Sequence, residues 1–570
     1  MEQKTLDNYN RWLNSPVVSE EDKEILRNLT DEEIDDAFFQ DIQFGTAGMR
    51  GILGPGTNRM NEFTVAKACI AYGKFLVSKY IDAGTKGVAI SHDNRHKSRE
   101  FTLLCANILN KMGLNVYVFD SLRPTPELSY AVRYKGCCGG IMITASHNPK
   151  EHNGFKVYDS YGCQLTPNKI IPLLDIISTM PDELSCKPQE VTIKGVTSVL
   201  EEDVDNSYVA YCQTVQLNPS LDKNNFKIVY SSNHGASYVN AMRVFNECRY
   251  QVYPVNEICN PDPDFSNLKS PNPEDPSAYE LPIKLAKEVG ADLICMTDPD
   301  GDRVGLACRN RQGEYVLLTG NESAAILLDY ILSERKKKGF LSVNGVIYNT
   351  IVTSSLGSKI AASYGVKTES FLTGFKYIGD RIQYYEEHGG PEFEFGYEES
   401  YGCLIKPFVR DKDGIQAILL YCEMALHYKN LGITLDEAYR NLNIKYGFHK
   451  TKLYNLSLKG SSGARKIKKL MNTLIEHPFD ELLGNKVMYV DDYYNLLRKN
   501  ILTGFVQTIN GIPMSSLIKF TFKDGTNIAV RPSGTEPKCK FYVEVVSKDE
   551  NLANTMPDKY FEALSKYLGL

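Results

Sequence analysis

The chain lacks an apolar run long enough to cross a bilayer. Its most apolar helical stretches, AAILLDYIL and GIQAILLYCEMAL, are too short or too interrupted. It also lacks a long basic run, and its net charge is −6. Nucleic acid and an anionic membrane are therefore not the expected partners, and an anionic substrate must be held by local sites. The first residues, MEQKTLDNYNRWLNS, carry charge from the second position and contain no signal-peptide apolar region. The 14 cysteines include no C-x-x-C pair, and the adjacent Cys137 and Cys138 cannot form an ordinary bridge with each other. They read as reduced thiols of a cytoplasmic protein. Neither a Walker A loop nor a dinucleotide fingerprint occurs.

What remains is an ordinary globular composition, 42% apolar and 24% charged over 570 residues. That length predicts roughly four domains. Residues 1–40 read as helices, and a helix-like span follows over Thr64–Ile81. Strands and helices then alternate: GVAIS, SREFTLLCANILNKMG, NVYVFD, TPELSYAVRYKG, GGIMITAS. The rhythm predicts an α/β sheet with crossover helices. It restarts at FKIVYSSNHGA and again at GVIYNTIVTS, and each round ends in a strand opening into a polar loop. The last part reads as α+β, with a helix near Ala464–Glu476 and KDGTN as a hairpin turn. The expected division is 1–205, 206–324, 325–447 and 448–570. The fold class is α/β, with three related mixed-sheet domains and a C-terminal α+β domain.

The chemistry lies in the loops. TDPDGDRVG carries Asp298, Asp300 and Asp302 at alternate positions, which share a face in extended chain. Three carboxylates there suit one hard cation, Mg²⁺ first. The other reading is a solvated acidic turn. A calcium EF-hand is rejected, because the sixth position is Arg303 and the twelfth Arg309. Arg303 could pair with a phosphate on the same metal. RPSGTEPK offers Arg531, Ser533, Gly534, Thr535 and Lys538 as a phosphate cradle, or only a turn between strands. EFGYEESYG carries Glu398, Glu399 and Ser400, which suit sugar hydroxyls or an exposed acidic loop. Arg50, Thr373, Gly374, Lys376, Arg410 and Lys412 jointly resemble an anion-binding set; singly, each cation reads as a surface residue. Ser146 lies in TASHNPKEHNGFKVY, after the apolar Gly140–Ile143, and reads as a nucleophile or as a turn serine. His147 projects away from it if the backbone is extended. The residues around Ser146 do not form the elbow G-x-S-x-G, which disfavours a serine hydrolase.

TASHNP, DPDGDR, EES and RPSGTEP follow one another in that order, one per predicted domain. In this the whole chain resembles the α-D-phosphohexomutases. FGTAGMRG and TGFK resemble the phosphoglucomutase/phosphomannomutase branch in particular. The resemblance implies four domains around a central cleft and interconversion of glucose 1-phosphate and glucose 6-phosphate, with mannose phosphates as further substrates. It implies Ser146 as the phosphoserine and as a ligand of one Mg²⁺ beside Asp298, Asp300 and Asp302. Glu398 and Ser400 would read sugar hydroxyls, and Arg531, Ser533, Gly534 and Thr535 would hold the phosphate that is not reacting. Arg50, Lys412 and His147 would lie near the transferred group, with glucose 1,6-bisphosphate as intermediate and activator. A monomer or weak homodimer is expected. Phosphopentomutases and glucose-1,6-bisphosphate synthases resemble the same branch. Tyr397, where many relatives have glycine, leaves the sugar preference open. A non-catalytic sugar-phosphate-binding protein would have lost Ser146 or an aspartate, and neither is lost.

Overall fold

Apolar runs that break off into polar loops form the inner strands of two mixed sheets. Both lie in the first of the chain's two compact units, residues 1–320 with 375–434. The computed structural model describes residues 2–45, 48–200, 202–458, 460–533 and 538–570. The first sheet runs Met49–Ile52, His152–Tyr158, Gly139–Ile143, Val88–His92, Val116–Val118, Thr197–Val199. The last four of these are mutually parallel, and the first two are antiparallel to their neighbours. The second sheet repeats the plan in the order Tyr315–Leu318, Val304–Arg309, Leu293–Thr297, Lys227–Ser231, Gln251–Pro254. Its last three strands are parallel and the others antiparallel. Gly139–Ile143 and Leu293–Thr297 are buried at every position. That is why both read as continuous apolar runs rather than alternating ones.

Each of these strands opens into a loop and returns as an antiparallel neighbour, Gly139–Ile143 to His152–Tyr158 and Leu293–Thr297 to Val304–Arg309. A third hairpin in the same unit joins Glu392–Tyr397 to Cys403–Leu404. The helix Gly414–Asn430 follows it. The Asp413 side chain caps this helix, accepting from the amides of Ile415 at 2.9 Å and Gln416 at 3.1 Å. The start of the chain forms three helices, Gln3–Leu13, Glu20–Arg27 and Asp31–Phe38. They close over Trp12, the single tryptophan, whose indole donates to Glu183 at 2.7 Å. The span expected at Thr64–Ile81 is the helix Glu62–Lys79, with Asn61 as its cap. Among the described residues no helix is long and apolar enough to cross a membrane.

The second unit comprises residues 321–374 and 435–570. It holds the parallel pair Gly345–Thr350 and Lys367–Phe371. It also holds an antiparallel sheet ordered Phe448–Ser457, Lys538–Ser547, Asn527–Pro532, Ile518–Phe522, Asn485–Asp492, Leu497–Asn500, Val506–Thr508. KDGTN turns between Ile518–Phe522 and Asn527–Pro532, as its composition predicts. The helices Gly460–Glu476 and Glu550–Leu568 bring Leu474 and Leu564 into one core with Phe520 and Phe541.

A buried polar knot ties this unit internally. Glu544 accepts from Ser354 Oγ at 2.6 Å, the Ser355 amide at 2.8 Å, His449 Nδ1 at 2.9 Å and Asn527 Nδ2 at 3.0 Å. Burial opposes its charge, but these donors and the His449 charge hold its carboxyl down to about 2, from 4.5. A depressed carboxylate pKa contributes stability above the unfolded value and loses it as pH falls through the folded one, here roughly 3 kcal/mol. Acid unfolding of the second unit should therefore steepen between pH 4.5 and about 2. Glu544→Gln should flatten that dependence and lower stability at pH 7, as read by circular dichroism across a pH series.

Candidate active site

Ser146 sits just past the carboxyl end of Gly139–Ile143, buried, with φ +53°. Its amide donates to Thr144 Oγ1 at 2.8 Å, and its hydroxyl donates to Asp298 Oδ2 at 2.9 Å. The left-handed turn corrects the expectation that His147 points elsewhere. Because the backbone is not extended, His147 Nδ1 comes within 3.2 Å of Ser146 Oγ. Burial, then the Arg303 and Arg50 guanidiniums, push the His147 imidazole well below its usual range.

The three aspartates also converge by a turn rather than by extended alternation. The Gly301 amide donates back to Asp298 O at 2.9 Å, and Gly301 takes φ +69°. One oxygen of each carboxylate lies within 4.8 Å of the others, and all three residues are buried. Asp298 Oδ1 accepts from the amides of Asp302 at 3.1 Å and Arg303 at 3.0 Å. Asp300 Oδ2 accepts from Lys156 Nζ at 2.7 Å and Thr125 Oγ1 at 3.0 Å. Asp302 Oδ2 pairs with Lys412 Nζ at 2.9 Å. Burial, followed by the charges of Asp300 and Asp302, raises the Asp298 carboxyl well above the usual range. Burial and Asp300 raise Asp302. Burial also works against the Asp300 charge, but the Lys156 ammonium wins and holds that carboxyl low.

Among the described residues, the buried Asp300 Oδ1 and Asp302 Oδ1 have no hydrogen-bond partner. An all-oxygen donor set with two unpaired buried oxygens fits a hard divalent cation. The triad could hold a metal ion.

Arg303 donates to Glu274 at 2.9 Å, while its buried Nε is unpartnered among the described residues, 3.9 Å from Asp302 Oδ1. Burial disfavours the Lys412 charge, but Asp302, Asp411 and Glu398 outweigh it and hold the ammonium above its usual range. Glu398 is buried in the third hairpin, where its amide donates to Gly402 O at 2.8 Å; Ser400 is half-buried beside it. Arg50 is exposed and donates to Asn148 Oδ1 at 3.2 Å. Ser146, His147, the three aspartates, Arg303, Lys412 and Glu398 thus form one constellation.

Other predicted residues fall elsewhere. Arg410 is fully buried, and its guanidinium is spent on Gln383 at 3.1 Å, Glu386 and the Pro407 carbonyl. It is a packing residue rather than a member of an anion-binding set. Lys376 opens the helix Lys376–His388 and is buried. Thr373, Gly374, Arg531 and Ser533 belong to the second unit, where the Ser533 amide donates to Lys538 O at 2.8 Å. Gly534 and Thr535 lie outside the described residues. Sequence reasoning missed Lys156 and Arg95. A lysine inside the otherwise apolar strand His152–Tyr158 was the available signal, since a buried ammonium needs a carboxylate.

Four domain families match in order: phosphoglucomutase/phosphomannomutase alpha/beta/alpha domain I over 41–181, domain II over 206–313, domain III over 319–446 and the C-terminal domain over 495–557. A phosphoglucomutase of Staphylococcus epidermidis is 36% identical over 92% of this chain and 94% of its own. The chain belongs to the phosphoglucomutase/phosphomannomutase family. A phosphoglucomutase of Staphylococcus aureus is 34% identical, over 92% of this chain and 93% of its own. Two solved structures share the family fold. One is a phosphomannomutase from Thermus thermophilus, at 21% identity and TM-score 0.68, covering 93% of this chain and 100% of that one. The other is the Paramecium pp63/parafusin phosphoglucomutase, at 19% identity and TM-score 0.67, covering 92% and 95%.

One position tests the constellation. A Cβ added at Gly402 would lie 2.0 Å from Lys412 Cδ. Gly402→Ala should displace the ammonium from Asp302 and lower kcat by roughly 100-fold, the usual effect of a misplacement near 1 Å. Thermal stability should fall much less, as a paired melting curve would show.

Proposed function

We propose that the chain is a phosphoglucomutase, interconverting α-D-glucose 1-phosphate and glucose 6-phosphate through a phosphorylated Ser146 and a glucose 1,6-bisphosphate intermediate. The observation that carries this reading is the Ser146 hydroxyl 2.9 Å from Asp298, inside a ring of carboxylates and cations. The names of the Staphylococcus relatives support glucose as the sugar.

In this reading O6 of the sugar attacks the phosphorus on Ser146. The serine P–O bond breaks as the O6–P bond forms, and the O6 proton leaves to a nearby base. The bisphosphate turns around, and Ser146 Oγ takes the phosphoryl group from O1, leaving glucose 6-phosphate. Mg²⁺, held by Asp298, Asp300, Asp302 and the Ser146 oxygen, would supply charge neutralisation of the transferring group. Arg303 Nε and the Lys412 and Lys156 ammoniums offer further positive charge to the same oxygens. His147, in contact with Ser146 Oγ, and Lys412 are the groups assigned to proton exchange, with Arg50 at the rim. Glu398 and Ser400 accept from sugar hydroxyls in either orientation of the ring. For Thr373, Gly374, Lys376, Arg531, Ser533, Gly534 and Thr535 the proposed role is phosphate binding, argued from motif chemistry. The division at 205, 324 and 447, a monomeric or weakly dimeric state and a cytoplasmic location complete the proposal.

Ser146→Ala should abolish mutase turnover and the incorporation of labelled phosphate from glucose 1,6-bisphosphate, while the fold survives. Near-normal turnover would discard the reading. Chelation should remove activity, and added Mg²⁺ should restore it. Asp300→Asn should need more Mg²⁺ for half-maximal rate. Glucose, mannose and ribose 1-phosphates assayed side by side would fix the sugar.

A further inference from the structure

Arg95 lies outside the carboxylate ring, in the polar loop after Val88–His92, and is 3% exposed. A guanidinium has five N–H donors. Each of the five finds an acceptor here. Nε donates to Asp93 Oδ2 at 3.1 Å. Nη1 donates to the carbonyls of Pro149 at 2.8 Å and His152 at 3.0 Å. Nη2 donates to those of Ser146 at 2.6 Å and Asn148 at 2.5 Å. Four of the five acceptors are therefore backbone carbonyls of the segment that carries Ser146. Asp93 grips the same segment from the other side: its Oδ2 accepts from Thr144 Oγ1 at 2.6 Å, and Thr144 Oγ1 in turn accepts from the Ser146 amide at 2.8 Å. The Phe265 ring covers the guanidinium, its centroid 5.1 Å away.

This clamp surrounds a strained residue. Ser146 holds φ +53°, a conformation that a side chain other than glycine's leaves unless its surroundings fix it. Its amide and its carbonyl are both tied, one to Thr144 and the other to Arg95. We propose that Arg95 is a positioning residue for the transferring serine, holding the left-handed turn that aims Ser146 Oγ at Asp298. The inference rests on the reading of Ser146 as the phosphoryl carrier. Lysine cannot substitute, because a single ammonium cannot span four carbonyls and a carboxylate in one plane.

The test compares the parent, Arg95→Lys, Asp93→Asn and Ser146→Ala with glucose 1-phosphate as substrate and saturating glucose 1,6-bisphosphate. Arg95 touches no sugar atom in this scheme, so its loss should appear in kcat and not in KM. Arg95→Lys should lower kcat by roughly 100-fold, with KM within about threefold of the parent. The single-turnover rate of serine phosphorylation should fall in parallel. Arg95→Ala should fall further, so that the lysine form counts as partial rescue. If Arg95→Lys loses its native circular dichroism, Asp93→Asn is read by the same split. Parental kcat in the folded variant, or a rise in KM matching the fall in kcat, would overturn the inference. With Ser146→Ala inactive, that result leaves the proposed function standing, whereas an active Ser146→Ala removes the proposed function itself.

Discussion

Three carboxylates share one buried turn in the first unit, and their repulsion has to be offset from outside that turn. Lys156 answers Asp300 from the returning strand of the first hairpin. Lys412 answers Asp302 from the segment between the third hairpin and the helix Gly414–Asn430. Arg303 lies within 4.0 Å of Asp298 and Asp302. Two ammoniums and an arginine shared with Glu274 leave the carboxyls of Asp298 and Asp302 raised. Removing a cation from such a set strands a buried charge, at a cost of several kcal/mol. The electrostatics of one turn therefore fixes how two other hairpins meet it.

The backbone plan makes that meeting possible. In each hairpin the polar loop leaves the end of a buried strand and returns antiparallel. Ligand chemistry at the carboxyl ends of inner strands is the general habit of α/β sheets. Each of the three loops also contains a left-handed residue: Ser146 at +53°, Gly301 at +69° and Tyr401 at +69°. Such a residue folds the loop back within a few positions, so side chains that an extended chain would splay apart can converge. Only Gly301 is the residue type that does this without help. Ser146 and Tyr401 depend on their contacts, and the Tyr401 carbonyl accepts from the Val304 amide at 2.9 Å.

Much of this was legible beforehand. Motif order, the element rhythm and the carboxylate spacing of Asp298, Asp300 and Asp302 are local properties, and local properties survive in sequence. What escaped was non-local or conformational. The spacing argument reached the convergence of the aspartates through an extended chain, but the mechanism is a turn at Gly301. Lys156 was read past because its partner lies 144 residues away. The strand Phe448–Ser457 was not anticipated, because its residues are largely polar and half-exposed, as suits an edge. The separation of residues 321–374 from their sequence neighbours was equally invisible, since a chain that leaves a unit and comes back carries no compositional mark.

Arg410 and Lys412 show what motif proximity cannot decide. They are two residues apart, carry the same sign and are both buried. Arg410 spends its guanidinium on Gln383, Glu386 and a backbone carbonyl, and its own amide donates to Ser129 Oγ at 2.9 Å. Lys412 faces two carboxylates across the space that Gly402 leaves clear. The distinction is whether donors and acceptors are spent. Arg95 and Arg410 are saturated and serve as scaffold. Arg303 Nε, Asp300 Oδ1 and Asp302 Oδ1 are buried with no partner among the described residues. An unpaired buried polar atom costs roughly 1–3 kcal/mol, so three of them in one cluster are hard to sustain unless a ligand completes them. Here one is a donor and two are acceptors on hard oxygen, which together call for an anion and a cation side by side, as a phosphate on a divalent metal provides.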